Sequence, residues 1–166
     1  MSLAEIVRYP DEILSKPTRT VEKFDSGLAS LVKRLIQIMI DAPGIGVAAN
    51  QIGIDLSVAV IGIPSTKQPL ILVNPEILKA SKLLQVSEEG CLSLPGYWGR
   101  PMRSERIRVE YQDPSGQVQR LDASEYLAQV IQHETDHLNG FVYVQRLPEG
   151  ESLNVIEAHS HSQDDD

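Results

Sequence analysis

The chain's 166 residues, 42% of them hydrophobic, suffice for one domain with a buried core and are too few for two comfortable ones. Its single cysteine, Cys91, excludes an intramolecular disulfide framework. With 15 basic and 23 acidic residues, the formal net charge of -8 disfavours phosphate-driven binding of nucleic acid. No stretch approaches the roughly 18 consecutive apolar residues of a membrane span, and the N-terminus lacks an export pattern. We therefore expect a cytoplasmic protein with no membrane partner and no direct nucleic-acid partner.

The first clear element is an amphipathic helix that begins after Asp25, a residue suited to capping, and ends before Pro43. Apolar residues recur along it at three- and four-residue intervals, which is the helical period. These residues are Leu28, Leu31, Val32, Leu35, Ile38 and Met39. The pattern predicts a helix that packs one face against the core.

Strand signals dominate the middle of the chain. The sequence GIGVAANQIG at 44–53 has three glycines and small residues, which favours a loop or edge strand that another backbone can approach closely. The β-branched segments SVAVIGI, PLILVNP and RIRVEYQ predict strands, and the turn residues at 113–116 lead from the last of these into QVQRL.

A second helix is predicted from Asp122, followed three residues later by Glu125 as in a capping box, to about Asn139, with Gly140 as terminator. The fold class is therefore α+β, a single domain of mixed or antiparallel strands packed around this central helix. We place the domain at residues 1–158 and expect a disordered polar tail at 159–166.

The second helix carries the motif HExxH, formed by His133, Glu134 and His137. Its spacing puts two imidazoles one turn apart on the same face, as a single divalent metal requires. Glu134 interrupts a neighbouring stripe that is otherwise apolar, and a buried carboxylate is costly unless it is paired or used. Burial would raise its pKa and a metal would lower it, which suits acid-base work near neutral pH.

A third metal ligand has candidates on both sides of this motif. The downstream residues lie in a polar C-terminal region and are Glu149, Glu151, Glu157, His159 and His161. Upstream, Cys91 lies in EGCLS, where a thiolate would complete a site with the fourth position open. A lone cysteine is also commonly a small hydrophobic core residue, so both interpretations stay open at this point.

The sequence resembles peptide deformylases in three places: GIGVAANQ at 44–51, EGCLS at 89–93 and QHETDH at 132–137. The motifs stand in the family's order and at its separations, so the resemblance covers nearly the whole chain. It implies an enzyme that removes the formyl group from the N-terminal formylmethionine of new polypeptides.

The resemblance also implies the roles of single residues. Cys91, His133 and His137 would hold one divalent metal, natively Fe2+, although the ligand set also suits Zn2+, Ni2+ or Co2+. Glu134 would be the catalytic acid and base. The side-chain amide of Gln51 and the backbone N–H of Leu92 would stabilise the negative oxygen of the intermediate.

A peptide substrate needs further contacts. Backbone groups of Ile45 and Gly46, with Gly90 opposite, would bind an extended N-formylmethionyl peptide independently of its later side chains. Val130, one turn before His133, is a candidate wall of the methionine pocket, and it is equally well explained as a core residue.

Other features depart from the family pattern. Trp98, where many bacterial relatives have a basic residue, is either an apolar rim of the cleft or a packing residue. Arg103 is expected to pair with Glu89 or Asp136 at the surface and to orient the residues around the metal. The ribosome is a candidate partner, yet the chain ends in an acidic segment where many relatives have a basic helix.

Two other functions fit parts of the sequence. A metallopeptidase would use Glu157 as its third ligand, and a non-catalytic module of deformylase descent would have no need for Glu134. The full set of Gln51, Cys91, His133, Glu134 and His137 favours the deformylase.

Overall fold

Two α-helices and ten strands form the part of the chain that the computed structural model describes, residues 5–42 and 44–156. The helices are α1 (Ser26–Asp41) and α2 (Glu125–Leu138). The strands are β1 (Gly46–Ala48), β2 (Val58–Ile61), β3 (Leu70–Ala80), β4 (Leu84–Val86), β5 (Glu89–Cys91), β6 (Leu94–Gly99), β7 (Met102–Ser104), β8 (Arg106–Gln112), β9 (Val118–Ser124) and β10 (Asn154–Val155). Neither helix has the length and apolar character that crossing a membrane requires.

Every strand pair among the described residues is antiparallel. A five-stranded sheet has the order β1-β2-β3-β8-β9, a three-stranded sheet has the order β10-β6-β5, and β4 pairs with β7. The predicted α+β class with a central helix is therefore confirmed. Both β1 and β5 are edge strands of their sheets, and this leaves one side of each free for another chain.

Helix α1 forms as its sequence predicts. The Asp25 side chain accepts a hydrogen bond from the Leu28 N–H at 3.1 Å, which satisfies one of the free donors of the first turn. All six residues of the predicted apolar stripe are buried, and they pack against β1 and β2. The local pattern alone was sufficient here, because period and cap point to the same boundaries.

Strand β2 is buried on both faces because a helix covers each one. Val58 and Val60 belong to the core under α1, whereas Ile61, with Leu72 of β3, belongs to the core under α2. Alternate residues of a strand point to opposite faces, so these two sets separate cleanly. This arrangement makes α2 central, with the five-stranded sheet on one side and β5 and β7 near its polar face.

The predicted start of α2 is wrong. Asp122 lies within β9, opposite Arg108 of β8. The helix begins at Glu125, and Ser124 occupies the N-cap position without a side-chain hydrogen bond to the helix. The strand ladder continues through Ser124, and the Glu125 N–H donates to the Glu105 carbonyl, so pairing with β8 overrides the local capping pattern. The end is as predicted: Asn139 caps the helix and Gly140 adopts a φ of 86°.

Several sequence-based predictions concern residues outside the described range. These are the polar tail at 159–166, the domain end at 158, and the alternative ligands Glu157, His159 and His161. They stay predictions.

Candidate active site

A cleft of about 530 Å³ opens between β1 and β5, with α2 as its floor. This is an ordinary size for a small-ligand site. The helix contributes residues spaced three and four apart, which lie on one face: Tyr126, Val130, His133 and Glu134. Of the sequence-predicted site residues, all except the fully buried His137 line this cleft.

Three potential metal ligands meet at the bottom of the cleft. The Nε2 atoms of His133 and His137 are 3.2 Å apart, and the Cys91 Sγ lies 3.2 Å from the His137 Nε2. Nitrogen ligands about 2.1 Å from a tetrahedral ion would lie about 3.4 Å from each other, so the spacing fits one metal. It is the only such group found among the described residues, where Glu149 and Glu151 are exposed and lie outside it.

Burial prepares His137 to bind a metal. Desolvation, with help from the charges of His133 and Arg103, holds the pKa of His137 well below its usual range. The ring is therefore neutral and has a lone pair to donate. The Asn50 side chain donates to the His137 carbonyl at 2.6 Å, which ties the segment after β1 to the end of α2.

Strand β5 supplies both Cys91 and an orienting carboxylate. Residues 89 and 91 are two apart and lie on one face of the strand. The Glu89 Oε1 lies 2.6 Å from the His133 Nδ1. An ionised carboxylate only accepts, so the His133 Nδ1–H donates to it and the Nε2 is left for the metal.

Glu89 is in turn held by Arg103 of β7. The Arg103 Nε and Nη2 each lie 2.9 Å from a Glu89 oxygen, and the Nη1 lies 2.5 Å from the Asp136 Oδ2. Burial raises the pKa of Glu89, but the hydrogen bonds with His133 and Arg103 and the charges of these two residues outweigh it and lower the pKa to about 2. The predicted pairing of Arg103 with Glu89 and Asp136 is confirmed, but its placement at the surface is wrong, because the Arg103 side chain is only 3% exposed.

This buried ion pair gives a stability prediction. Replacing Arg103 by leucine leaves Glu89 and Asp136 without their buried partner, so the free energy of unfolding of the metal-free protein should fall by about 3–5 kcal/mol. Urea unfolding in the presence of a chelator measures it. The matched control is Arg120→Leu, which removes a mostly exposed pair with Glu110 and should change stability by about 1 kcal/mol or less. Equal effects of the two changes would contradict the prediction.

Glu134 lies against the backbone of β1. A Cβ atom at Gly46 would stand 2.9 Å from the Glu134 Oε1, so the absence of a side chain at residue 46 makes room for the carboxylate. The Glu134 Oε2 is buried and has no hydrogen-bond partner among the described residues. Burial, opposed mainly by the charge of His133, raises the pKa of Glu134 to about 7. This confirms the predicted effect of burial on the carboxyl.

Gln51 is oriented toward the Cys91 sulfur by its neighbours. Its Oε1 accepts a hydrogen bond from the Ala48 N–H at 2.9 Å, which leaves the amide group pointing inward. The Nε2 lies 3.2 Å from the Ser93 Oγ and 3.5 Å from the Cys91 Sγ. Leu92, directly after Cys91, lines the cleft beside it. Both predicted oxyanion donors thus lie next to the three potential metal ligands.

The predicted substrate contacts lie on the two walls of the cleft. Ile45 and Gly46 line one wall, Gly90 lines the other, and Val130 lies on the floor. The Ile45 carbonyl already accepts a hydrogen bond from the Gly62 N–H at 2.7 Å, so Ile45 has only its N–H left for a peptide.

Trp98 is not among the residues that line the cleft, and Tyr97 takes that position. Adjacent residues of β6 face opposite sides of the strand, which explains the exchange. Trp98 instead lies partly buried under the Arg100 guanidinium, whose carbon is 5.2 Å from the ring centroid. The rim interpretation of Trp98 is therefore wrong, and the packing interpretation fits.

Two side chains of the site were not predicted from the sequence. Glu89 was expected only as a partner of Arg103, and its hydrogen bond with His133 was not expected, although the two-residue spacing from Cys91 is a usable signal. Gln129, a buried glutamine on the cleft face of α2, was not predicted either. The helical spacing to His133 was the only available sign.

A site of this kind is that of a metal-dependent hydrolase, because the ligand set leaves a coordination position open beside a buried acid-base group. Comparison with known proteins agrees. The sequence profile of the family described as Polypeptide deformylase matches residues 3–152. Peptide deformylase 1 of Bacillus cereus is 38% identical over 157 residues, which cover 95% of this chain and 100% of that protein. The chain therefore belongs to the polypeptide deformylase family.

Solved structures support the same conclusion. The crystal structure of a peptide deformylase from Synechococcus elongatus in complex with actinonin matches with a TM-score of 0.83 at 39% identity. The match covers 87% of this chain and 79% of that chain. The crystal structure of the peptide deformylase from Thermotoga maritima also matches with a TM-score of 0.83, at 38% identity. The match covers 86% of this chain and 96% of that chain. The predicted family and its metal-dependent hydrolysis are confirmed, and the metallopeptidase and non-catalytic alternatives are not supported.

Proposed function

We propose that this chain hydrolyses the formamide of N-formylmethionyl nascent peptides and releases formate, using the cleft between β1 and β5. One observation supports this most strongly: three metal-binding atoms adjoin a buried Glu134 at the bottom of a cleft between two free strand edges. The ribosome is a partner through the nascent chain that it carries, and the cytoplasm is the compartment.

Cys91, His133 and His137 are the ligands that we propose for one divalent ion. When bound, the ion supplies Lewis acidity, which lowers the pKa of a water and polarises the formyl oxygen. We propose Fe2+ as the native ion on the strength of the family resemblance. The ligand atoms themselves also suit Zn2+, Ni2+ or Co2+.

Glu134 moves the proton in this scheme. It takes a proton from the water whose oxygen bonds to the formyl carbon, and it then gives that proton to the nitrogen as the C–N bond breaks. One water is consumed, and formate and a free amine leave. Burial raises the pKa of Glu134 to about 7 in the absence of an ion, and the positive ion would lower it, so the carboxyl can both accept the proton and return it.

Gln51 and Leu92 stabilise charge on the formyl oxygen. The Gln51 Nε2 and the Leu92 N–H donate to the oxygen when it becomes negative, and because Ala48 fixes the amide, little reorganisation is needed.

Replacing Gln51 by alanine should lower kcat by about a hundred- to a thousandfold with a small change in KM, because it removes one donor to the oxyanion. Steady-state formate release measures both constants. Gln145→Ala is the matched control, since its Oε1 accepts from the Val142 N–H at 2.8 Å at the start of another short turn. Turnover of Gln51→Ala within a few-fold of the parent would exclude the role.

The peptide itself would lie as an extended strand between the edges of β1 and β5. Gly46 and Gly90 have no side chains to keep its backbone away, and main-chain hydrogen bonds ignore the later residues of the substrate. The methionine side chain would enter the pocket beside Val130.

The direct test of the function is formate release from formyl-Met-Ala-Ser by protein loaded anaerobically with Fe2+. Rapid release is expected. No release from protein that carries one metal per chain would contradict the proposal.

A further inference from the structure

One polar side chain of the cleft has no place in this mechanism. Gln129 lines the cleft yet is only 5% exposed, and it lies on α2 between Tyr126 and His133. Its neighbour Val130 is apolar, as expected for a pocket that receives methionine. A carboxamide at this depth is costly unless its hydrogen bonds are made.

Gln129 makes only one, long hydrogen bond among the described residues. Its Nε2 donates to the Glu88 carbonyl at 3.4 Å. Gln132 of the same helix shows the contrast: its Oε1 accepts from the Ser104 N–H at 3.0 Å, and its Nε2 donates to the Ser104 carbonyl at 2.8 Å. Gln129 therefore has hydrogen-bonding capacity to offer to whatever occupies the cleft.

The position of Gln129 defines what it can reach. It lies four residues before His133, about 6 Å along the helix. An extended methionine side chain places its sulfur about that far from the formyl carbon. If the pocket beside Val130 receives the first side chain, as proposed above, the Gln129 amide lies near that sulfur.

A thioether makes poor use of an amide donor, because its sulfur is only a weak acceptor. A sulfoxide at the same position carries an oxygen that is a strong hydrogen-bond acceptor. In an otherwise apolar pocket that oxygen would lose its water, and only a nearby donor replaces the lost hydrogen bond.

We propose that Gln129 is a specificity-determining residue that lets this enzyme also accept peptides whose N-terminal formylmethionine has been oxidised to the sulfoxide. The Nε2 moves from its long bond with Glu88 to donate to the sulfoxide oxygen. The reaction is unchanged: one water adds, the C–N bond of the formamide breaks, formate leaves, and the S–O bond stays intact.

The test compares formyl-Met-Ala-Ser with each sulfoxide diastereomer of the same peptide, at equal metal content. For the parent enzyme, kcat/KM for the better diastereomer should lie within about tenfold of that for the thioether. In Gln129→Leu it should fall by about tenfold to a hundredfold, mainly through KM, since the buried oxygen loses its donor. A thioether makes little use of this donor, so the ratio of kcat/KM for the sulfoxide to kcat/KM for the thioether should fall in the variant.

Gln37→Leu is the matched control, because it replaces an exposed glutamine of α1 outside the cleft and should leave the ratio of the two substrates unchanged. Gln129→Met serves as a second variant if the leucine packs poorly. An unchanged substrate ratio in both Gln129 variants, or a parent that excludes both sulfoxides, would overturn the proposal. Failure of the parent to release formate from formyl-Met-Ala-Ser would instead reject the function itself.

Discussion

Replacement of Glu134 by alanine should reduce formate release from formyl-Met-Ala-Ser by about a hundred- to ten-thousandfold while metal content stays at one ion per chain. The carboxyl is buried against Gly46 on the cleft face of α2. Glu88 and Glu89 also line the cleft, but each is paired with an arginine. Loss of general acid-base catalysis of this kind has that magnitude. The assay uses parent and variant loaded anaerobically with the same Fe2+.

Glu134→Gln provides the conservative comparison, because it keeps the volume next to Gly46 and removes only the proton transfer. It should be as impaired as the alanine variant. Full activity in Glu134→Gln with full metal content would show that another group moves the proton.

Replacement of Cys91 by serine should abolish stoichiometric metal binding, and formate release should be lost with it. A thiolate is a much better ligand for these ions than a serine hydroxyl, and the two remaining imidazoles make an incomplete set. Metal content after dialysis, measured by elemental analysis, checks the first effect, and the formate assay checks the second.

The control variant for Cys91 is Glu157→Ala. Glu157 is the ligand that a metallopeptidase of the HExxH type would need, and its replacement should leave both metal content and activity unchanged. If Cys91→Ser kept one metal per chain while Glu157→Ala lost it, the proposed ligand set would be wrong.

Features that depend on local sequence were predicted well. The stripe of α1 and its Asp25 cap need only residues within one helix, and HExxH brings two potential ligands together through the helical period alone. The predicted start of α2 was wrong because it depends on a contact with a distant segment. The local sequence at Asp122 favours a helix cap, but Asp122 pairs with β8 as part of β9. The local sequence does not contain this contact.

The surroundings of the metal ligands were harder to predict because they join distant segments. Arg103 of β7 reaches Glu89 of β5 and Asp136 of α2, and nothing in its own neighbourhood signals that it is buried. The same holds for Gln129, whose polarity suggests an outward position on a helix. Only the assembled fold shows that the inward side of α2 is shared between the core and the cleft.

The two free strand edges that flank the cleft also bear on self-association. An unpaired edge is a template on which a second folded protein can add its own strand, and many proteins cover theirs. Here β1 and β5 are only three residues long, and they face each other across a narrow cleft. Edges this short offer little backbone for a strand of a second folded protein to pair with. The short edges that we propose to bind the peptide therefore also limit pairing with a second copy of the chain.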